Sequence, residues 1–491
     1  MGAISSIFAP SHHHHHPIYI AQAGDMGNIS IRNLSTTPLE LNSAERVVPT
    51  PSSSRSPSST GDSSPSPPHP SSPPPPPTKQ TLTDFIIHPF SESSAPIPAP
   101  DHSSSERLRL TFSEPGTSPP TSYTAEIPGP TPQSVVMSSP TKEFTLVYLP
   151  RARYLTILSS AHLSRWMAEL PSSLPLSALS IPGTHNSPTH YLALPSVRCQ
   201  AVPVRTQLDN GVRFLDIRLS CPDTFSSPST SDLALVHSAF PIALSGTKYF
   251  SPLLDQVYTF LESNPSETVL MSLKREGTGR GTDQLLSKIL SDHYLLPNAS
   301  KWFLSNRIPS LGEARGKIIL IRRFHLDDSL SELGIDGSVW PDNCADGTCG
   351  SGQIRIQDFY EVSQADQIQK KIELARALLE RAGRQGLCHL AHHDAHQQQQ
   401  RQQDQKLPPI FINFLSASNF FNASCWPDRI AAKINPSMIE YLCTGHGAPG
   451  KGPDQLPIGT GVVVIDWVGN NGDWDLVRCI VGWNARLQLQ Q

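Results

Sequence analysis

The chain has 491 residues, enough for two or three domains or for one large barrel with a smaller companion. A formal net charge of -4 gives no basic excess, which sets aside nucleic-acid binding and broad electrostatic adhesion to anionic membrane. No run of about eighteen apolar residues occurs, and the most apolar stretch, GVVVIDW, is broken by Asp466, so no membrane-spanning helix is expected.

In chain order, residues 1–23 read as a disordered N-terminus. Met1-Gly2-Ala3-Ile4-Ser5-Ser6 fits the myristoylation pattern and makes Gly2 a candidate lipid anchor, which would place a cytoplasmic protein peripherally on a membrane. No basic and apolar regions of a secretory signal are present, so the eight cysteines are expected as free thiols, with Cys344 and Cys349 the one plausible bridge. Residues 24–166 are expected to form a small β domain from alternating segments such as NISIRNLS, LRLTF and FTLVYLP. A disordered insertion at 49–80 interrupts it. Between Pro49 and Pro77, 12 of 29 residues are proline and 11 are serine, a composition that buries too little apolar surface to offset ordering entropy.

Residues 167–491 contain eight strand-like apolar runs: LSALSI, VRFLDI, LALV, TVLMSL, KIILI, QIRIQ, IFINF and GVVVID. Helical patterns lie between several of them, as in SPLLDQVYTFLESN, apolar at 253, 254, 257, 260 and 261. Together they predict an α/β fold, a (β/α)8 TIM-type barrel, irregular where 324 to 352 looks poor in helix. A low-complexity insertion at 389–408 carries His389, His392, His393 and His396, but its glutamine run favours a solvated loop over a metal site. GHGAPGKG has phosphate-loop spacing without the required Ser or Thr and without a preceding strand, and reads as a rim loop.

In such a barrel, chemistry sits where strands end at their carboxyl side. SIPGTHNS turns at Pro182-Gly183 and sets His185 just beyond the first strand; Arg218 closes the second, His237 the third, Lys274 the fourth, Arg323 the fifth, Asp358 the sixth and Asp466 the eighth. Charged residues often flank strands merely because the chain leaves the core there. The composition of this set says more. Two imidazoles among cations suit cleavage of an anionic phosphodiester, one removing a proton, the other supplying one, and the cations offsetting phosphoryl charge.

These motifs, with GVRFLDIR, LALVHS, NPSETVLMSLKRE, LGEARGKIILIRRF, VWPDN, IQDFYEV, FINFLSAS and VVVIDWV, resemble the X domain of bacterial-type phosphatidylinositol-specific phospholipase C across roughly 170 to 485. The resemblance implies a lyase step on phosphatidylinositol or a glycosylated inositol lipid, giving diacylglycerol and inositol 1,2-cyclic phosphate, without metal or other cofactor. It implies that His185 is the general base, Asp466 its orienting carboxylate, His237 the general acid and Arg218 the phosphate ligand. Lys274, Arg323, Asp358 and Tyr360 would hold inositol hydroxyls, and Asp216 lies among the substrate-binding positions. The bacterial pattern has aspartate where this chain has Asn186, so His237 should lose its proton at lower pH than in an aspartate-bearing enzyme. Asp216 is a substitute source of that charge. Arg218 stands where calcium-dependent relatives place a metal-binding carboxylate, which favours metal independence. The implied partners are an inositol phospholipid and the membrane surface. Alternatives are a catalytically weak inositol-lipid binding module and a glycerophosphodiester phosphodiesterase on the same barrel.

Overall fold

The structure, a computed structural model, describes residues 27–48, 67, 78–129, 134–159, 162–391, 407–447 and 459–490. The expectations for Gly2, the Pro/Ser insertion, the His/Gln insertion and most of GHGAPGKG therefore lie outside the described residues.

Residues up to Ser159 form two five-stranded sheets. One is ordered Ser91–Pro98, Asn28–Asn33, Tyr154–Ser159, Glu143–Leu149 and Ser134–Ser138; the other is centred on Leu39–Val47 and Arg107–Ser113. Alternation does the work. Ile29 and Ile31 from the first sheet and Leu41, Leu108, Leu110 and Phe112 from the second point into one shared core. Tyr123 and Phe144 meet edge to face across it, with ring centroids 5.2 Å apart. The Pro/Ser segment enters between Leu39–Val47 and Lys79–Thr81, antiparallel neighbours in the second sheet.

The rest is an α/β sheet whose long strands run parallel in the order Ile318–Arg323, Val269–Arg275, Phe214–Ser220, Ile181–Thr184, Val462–Ile465, Ile410–Phe414 and Ile354–Gln357. These are buried on both faces and read accordingly as near-continuous apolar runs. LALV departs from expectation. Ala234–His237 runs antiparallel to Phe214–Ser220 as a hairpin, because only a loop joins them and no crossover helix exists to reverse the chain. Among the described residues, seven long parallel strands are therefore present instead of eight.

The outermost strands do not pair directly. Ile335–Asp336 adds to Ile318–Arg323 in parallel, Gly347–Thr348 adds to Ile354–Gln357 antiparallel, and the Gly350 amide donates to Val339 O at 3.1 Å between them. The helix-poor stretch thus lies between the two edges of the sheet.

Pro182 and Gly183 were read as a turn, but both lie inside the strand Ile181–Thr184. The glycine is required for space: a Cβ there would stand 2.8 Å from Phe214 Cβ. The chain turns three residues after this glycine, at Asn186, where φ is 42°.

The two cores touch. Leu163 and Trp166 already belong to the barrel core, and Leu34, Val147 and Leu158 from the sheets reach into it. Arg32, 3% exposed, crosses the junction and donates to Cys443 O (3.0 Å), His446 O (2.8 Å) and Gly447 O (2.8 Å) while lying over Trp483. Its charge is distributed over carbonyl dipoles, with no carboxylate bonded to the guanidinium among the described residues and Glu92 acting on it only at longer range. Arg32→Met should keep the stem's packing but remove the guanidinium's bonds to three carbonyls, of which Cys443 O keeps Thr156 Oγ1 at 3.2 Å, lowering stability by about 2 kcal/mol. A urea midpoint within experimental error of wild type would show that the junction does not depend on this residue.

Candidate active site

Strand register assembles the centre of the site. Thr184 pairs with Ile465 across adjacent parallel strands, so the next residues, His185 and Asp466, leave the sheet side by side. His185 Nδ1 lies 2.8 Å from Asp466 Oδ1, and the His185 amide donates to Ile465 O at 3.1 Å. Gln200 Nε2 donates to both His185 O (2.7 Å) and Ile465 O (2.9 Å), clamping the two strand ends together. A carboxylate on Nδ1 fixes the tautomer and leaves Nε2 to exchange a proton.

His237 comes from the hairpin, and its ring centroid is 6.3 Å from that of His185 at 84°. Its Nδ1 lies 2.8 Å from Val197 O, so this nitrogen donates and Nε2 is again the free position. Asn186 Nδ2 lies 3.2 Å from the same Nδ1, while Asn186 Oδ1 is buried without a partner. An imidazolium has no lone pair to offer Nδ2. Turning the amide over would aim the idle Oδ1 at a charged His237.

The residues that follow His185, His237 and Asp466 are all left-handed: Asn186 (φ 42°), Ser238 (φ 51°) and Trp467 (φ 57°). Asparagine tolerates this conformation, whereas serine and especially tryptophan do not, at a cost of roughly 1–2 kcal/mol each. Surrounding hydrogen bonds hold them there, such as the Trp467 amide to Cys199 O at 2.9 Å. Such strain persists only where the fold over-determines it.

The cations form a second group. Arg218, Lys274 and Arg323 are mutual register partners on three adjacent strands, so they stand in one row at the mouth. Arg218 is bracketed by carboxylates: Nε and Nη2 reach Asp216 at 2.7 and 3.0 Å, and Nη1 reaches Glu276 at 3.1 and 2.9 Å. Burial would raise the Asp216 carboxyl, but the guanidinium overrides it and holds Asp216 well below its ordinary range. Arg218 is correspondingly held charged against its own burial. Burial, reinforced by Arg218, pulls Arg323 down to about 10. Its guanidinium lies over Trp340 at 3.7 Å, and Nε and Nη1 are buried with no partner among the described residues. An anionic or hydroxylated ligand would satisfy them.

Asp358 joins this wall indirectly, accepting from Trp340 Nε1 at 3.1 Å. Tyr360 stands further out; its hydroxyl donates to Asp342 Oδ1 at 2.7 Å, and Asp342 lines a pocket with Lys274, Arg323 and Trp340. Asp216 needs correction: it is fully buried and bonded to Arg218 and to the Asn186 amide, so it orients the site and does not face a ligand. Three contributors escaped sequence reading. Glu276 had a signal, being two residues after Lys274 on the same strand face. Trp340 had only its place in VWPDN. Cys199 had none, because nothing local links SVRCQA to the two imidazoles.

His185, Cys199 and Asp466 bring potential metal-ligand atoms within 4.8 Å of one another, but the His185–Asp466 bond already uses the facing atoms. The seven described cysteines, Cys344 and Cys349 among them, are free thiols.

Burial opposes charge on His185, yet Asp466 and Cys199 outweigh it and hold the imidazole well above its ordinary range. A nitrogen in that state accepts a proton only after losing one, so base activity through Nε2 should fall as pH drops below the raised value. By NMR, His185 should titrate above about 6.5, and Asp466→Asn should lower it by about one to two units. An unchanged titration in Asp466→Asn would remove Asp466 as its partner.

Residues 172–324 match the family model for the X domain of phosphatidylinositol-specific phospholipase C. Along 337 residues, 65% of this chain, the sequence is 27% identical to 1-phosphatidylinositol phosphodiesterase of Staphylococcus aureus (strain Newman), covering 93% of that protein. The corresponding Listeria monocytogenes protein is 33% identical over 180 residues, 34% of this chain and 51% of its own length. A solved mutant of the Staphylococcus aureus phospholipase C shares 24% identity with a TM-score of 0.49, covering 66% of this chain and 97% of that one. Every long barrel strand from Ile181–Thr184 to Ile318–Arg323 falls inside the matched segment, and so do His185, Asn186, Arg218, His237, Lys274 and Arg323. Residues 172–324 are therefore similar to the X domain of phosphatidylinositol-specific phospholipase C.

Proposed function

We propose that this protein cleaves phosphatidylinositol, or a glycosylated inositol lipid, on the diacylglycerol side of phosphorus by intramolecular attack. The observation that carries the reading is the pair of imidazoles with free Nε2 positions, one backed by a carboxylate at 2.8 Å, beside a row of three cations. His185 Nε2 takes the proton of the inositol 2-hydroxyl, whose oxygen bonds to phosphorus. The phosphorus–glycerol bond breaks, and His237 Nε2 gives its proton to the departing oxygen. The products are diacylglycerol and inositol 1,2-cyclic phosphate. Arg218 offsets the charge on the phosphoryl oxygens, and Lys274, Arg323 and Trp340 form the wall against which the inositol ring is held. In this reading the barrel is an irregular TIM-type barrel, and the two N-terminal sheets are a separate all-β unit.

Metal independence follows from the donor set. A calcium ion needs several oxygen ligands, and the two carboxylates nearest the phosphate position, Asp216 and Glu276, are both bound by Arg218. The test combines these points. Purified protein with phosphatidylinositol in excess chelator should yield the cyclic phosphate, and His185→Ala or His237→Ala should lose about 10²- to 10⁴-fold in kcat/KM with native circular dichroism. Loss of wild-type activity in chelator with recovery on calcium would overturn metal independence. Near-normal turnover by either variant would overturn the acid and base roles.

The mouth also suits a lipid surface. Leu192, Phe240, Leu244, Val339, Phe420 and Phe421 are exposed apolar residues on segments that follow strand ends at this face, and Phe421 is 94% exposed. No described helix is long and apolar enough to cross a membrane, so contact would be peripheral. Inserting one phenylalanine contributes roughly 1.5–3 kcal/mol. Phe421→Ser should accordingly weaken binding to phosphatidylinositol-containing vesicles about tenfold or more, read by co-sedimentation. Unchanged partitioning would remove this rim from the membrane contact.

A further inference from the structure

The segment Val197–Gln200 touches every part of the proton-transfer centre. Val197 O accepts from His237 Nδ1, Gln200 Nε2 donates to His185 O, and Cys199 O accepts from the Trp467 amide beside Asp466. Cys199 itself is held by its amide, which donates to Thr189 Oγ1 at 3.1 Å. That bond aims Sγ inward. The sulfur lies 3.9 Å from His237 Nδ1 and 3.8 Å from Asn186 Nδ2, and within 4.8 Å of ligand atoms of His185 and Asp466. A fully buried sulfur that faces two imidazoles, with Val197 O 3.6 Å away, is in a setting where nearby positive charge stabilises a thiolate.

We propose that Cys199 is a positioning residue for the general acid, its thiolate supplying His237 with the negative partner that the neutral side chain of Asn186 cannot. The inference rests on the phosphodiesterase reading given above. The titratable groups facing the sulfur and the acid imidazole are His185 from the first barrel strand, Asp466 from the last, and Cys199 and His237 themselves. Asp216 and Arg218 are bonded to each other one layer away. Directions of titration agree with the geometry. Burial and Asp466 push the Cys199 thiol up, but His185 and His237 bring the balance below its ordinary value. Burial pulls His237 down, and Cys199 more than reverses it. Buried thiols away from the site behave oppositely: burial pushes Cys221 up to about 11 and Cys349 up to about 12.

An acid must hold its proton to work, so its pKa sets the alkaline limb of kcat/KM. On a soluble inositol phosphodiester, Cys199→Ser should move that limb down by about one pH unit, lowering kcat/KM about tenfold on the alkaline side and little on the neutral plateau. Adding Asn186→Asp to Cys199→Ser should return the limb upward, because a carboxylate then stands where the amide was. A merely structural cysteine would lower stability or overall rate without moving the limb, and an unmoved limb overturns the proposal. Two readouts need neither turnover nor a variant. In the native full chain, ultraviolet thiolate absorbance should show one step beneath the free-cysteine range, and the His237 ring should titrate above the ordinary imidazole range by NMR. If wild type does not cleave the lipid but these titrations appear, the functional reading fails and the thiolate–imidazolium pairing stands. If no thiolate step appears below that range, the pairing fails whatever the activity.

Discussion

One register governs this site. Because Ile181–Thr184 lies between Val462–Ile465 and Phe214–Ser220 with Thr184 opposite both Ile465 and Leu215, His185 must leave the sheet beside Asp466 and above Asp216. A slip of one residue would send each side chain to the opposite face of its strand and separate the dyad. Close packing excludes the slip: Gly183 admits Phe214 at a distance no larger residue allows, so only this pairing places a glycine against that ring. The dyad is thus a consequence of core packing two residues below it.

The same register explains the division of labour around the mouth. Strand ends on one side of Ile181–Thr184 contribute the carboxylate, and those on the other contribute the cation row. Arg218, flanked by Asp216 and Glu276, cannot swing away from the row without leaving the buried Asp216 carboxylate without its cation and Glu276 with Lys274 alone, a loss on the order of several kcal/mol. Arg323 differs. It is held by stacking on Trp340 and keeps unpartnered donors, which marks it as the cation whose hydrogen bonds are completed from outside the chain. One arginine is fixed as electrostatic background, and the other is held ready for a ligand.

Much of this was legible because buried parallel strands announce themselves as apolar runs and because polar residues at their carboxyl ends converge. His185, Arg218, His237, Lys274, Arg323 and Asp466 were reached in that way. What failed was nonlocal. LALV has the composition of a barrel strand, yet its direction depends on the connection before it, and residues 221–233 form a loop without a crossover helix that returns the chain antiparallel. Lys371 looks like a solvent residue of an amphipathic helix, but it is fully buried, donates to Gln357 Oε1 at 2.8 Å, and is pulled by burial to about 7. No spacing rule distinguishes it from its exposed neighbour Lys370. Asp216 was misjudged for a related reason: sequence places it at the mouth, but only coordinates show that Arg218 bends back to cover it.

Asn186 illustrates how one substitution redistributes work through a site. An aspartate there would act on His237 by charge; asparagine acts by shape, since it adopts the left-handed turn with little strain while its backbone N–H donates to Asp216 as that of any residue would. The turn is therefore kept while the charge is lost. Electrostatics then has to come from another element, and the loop through Cys199 is the one that packs against both imidazoles while being pinned to Trp467 at the end of the last strand. The left-handed residues after His185, His237 and Asp466 tie these pieces together. Each makes the chain bend sharply just past a reacting side chain, which frees room above the strand ends for a substrate. It also brings the following backbone, strained as it is, into hydrogen-bond contact with the loop that carries the thiol.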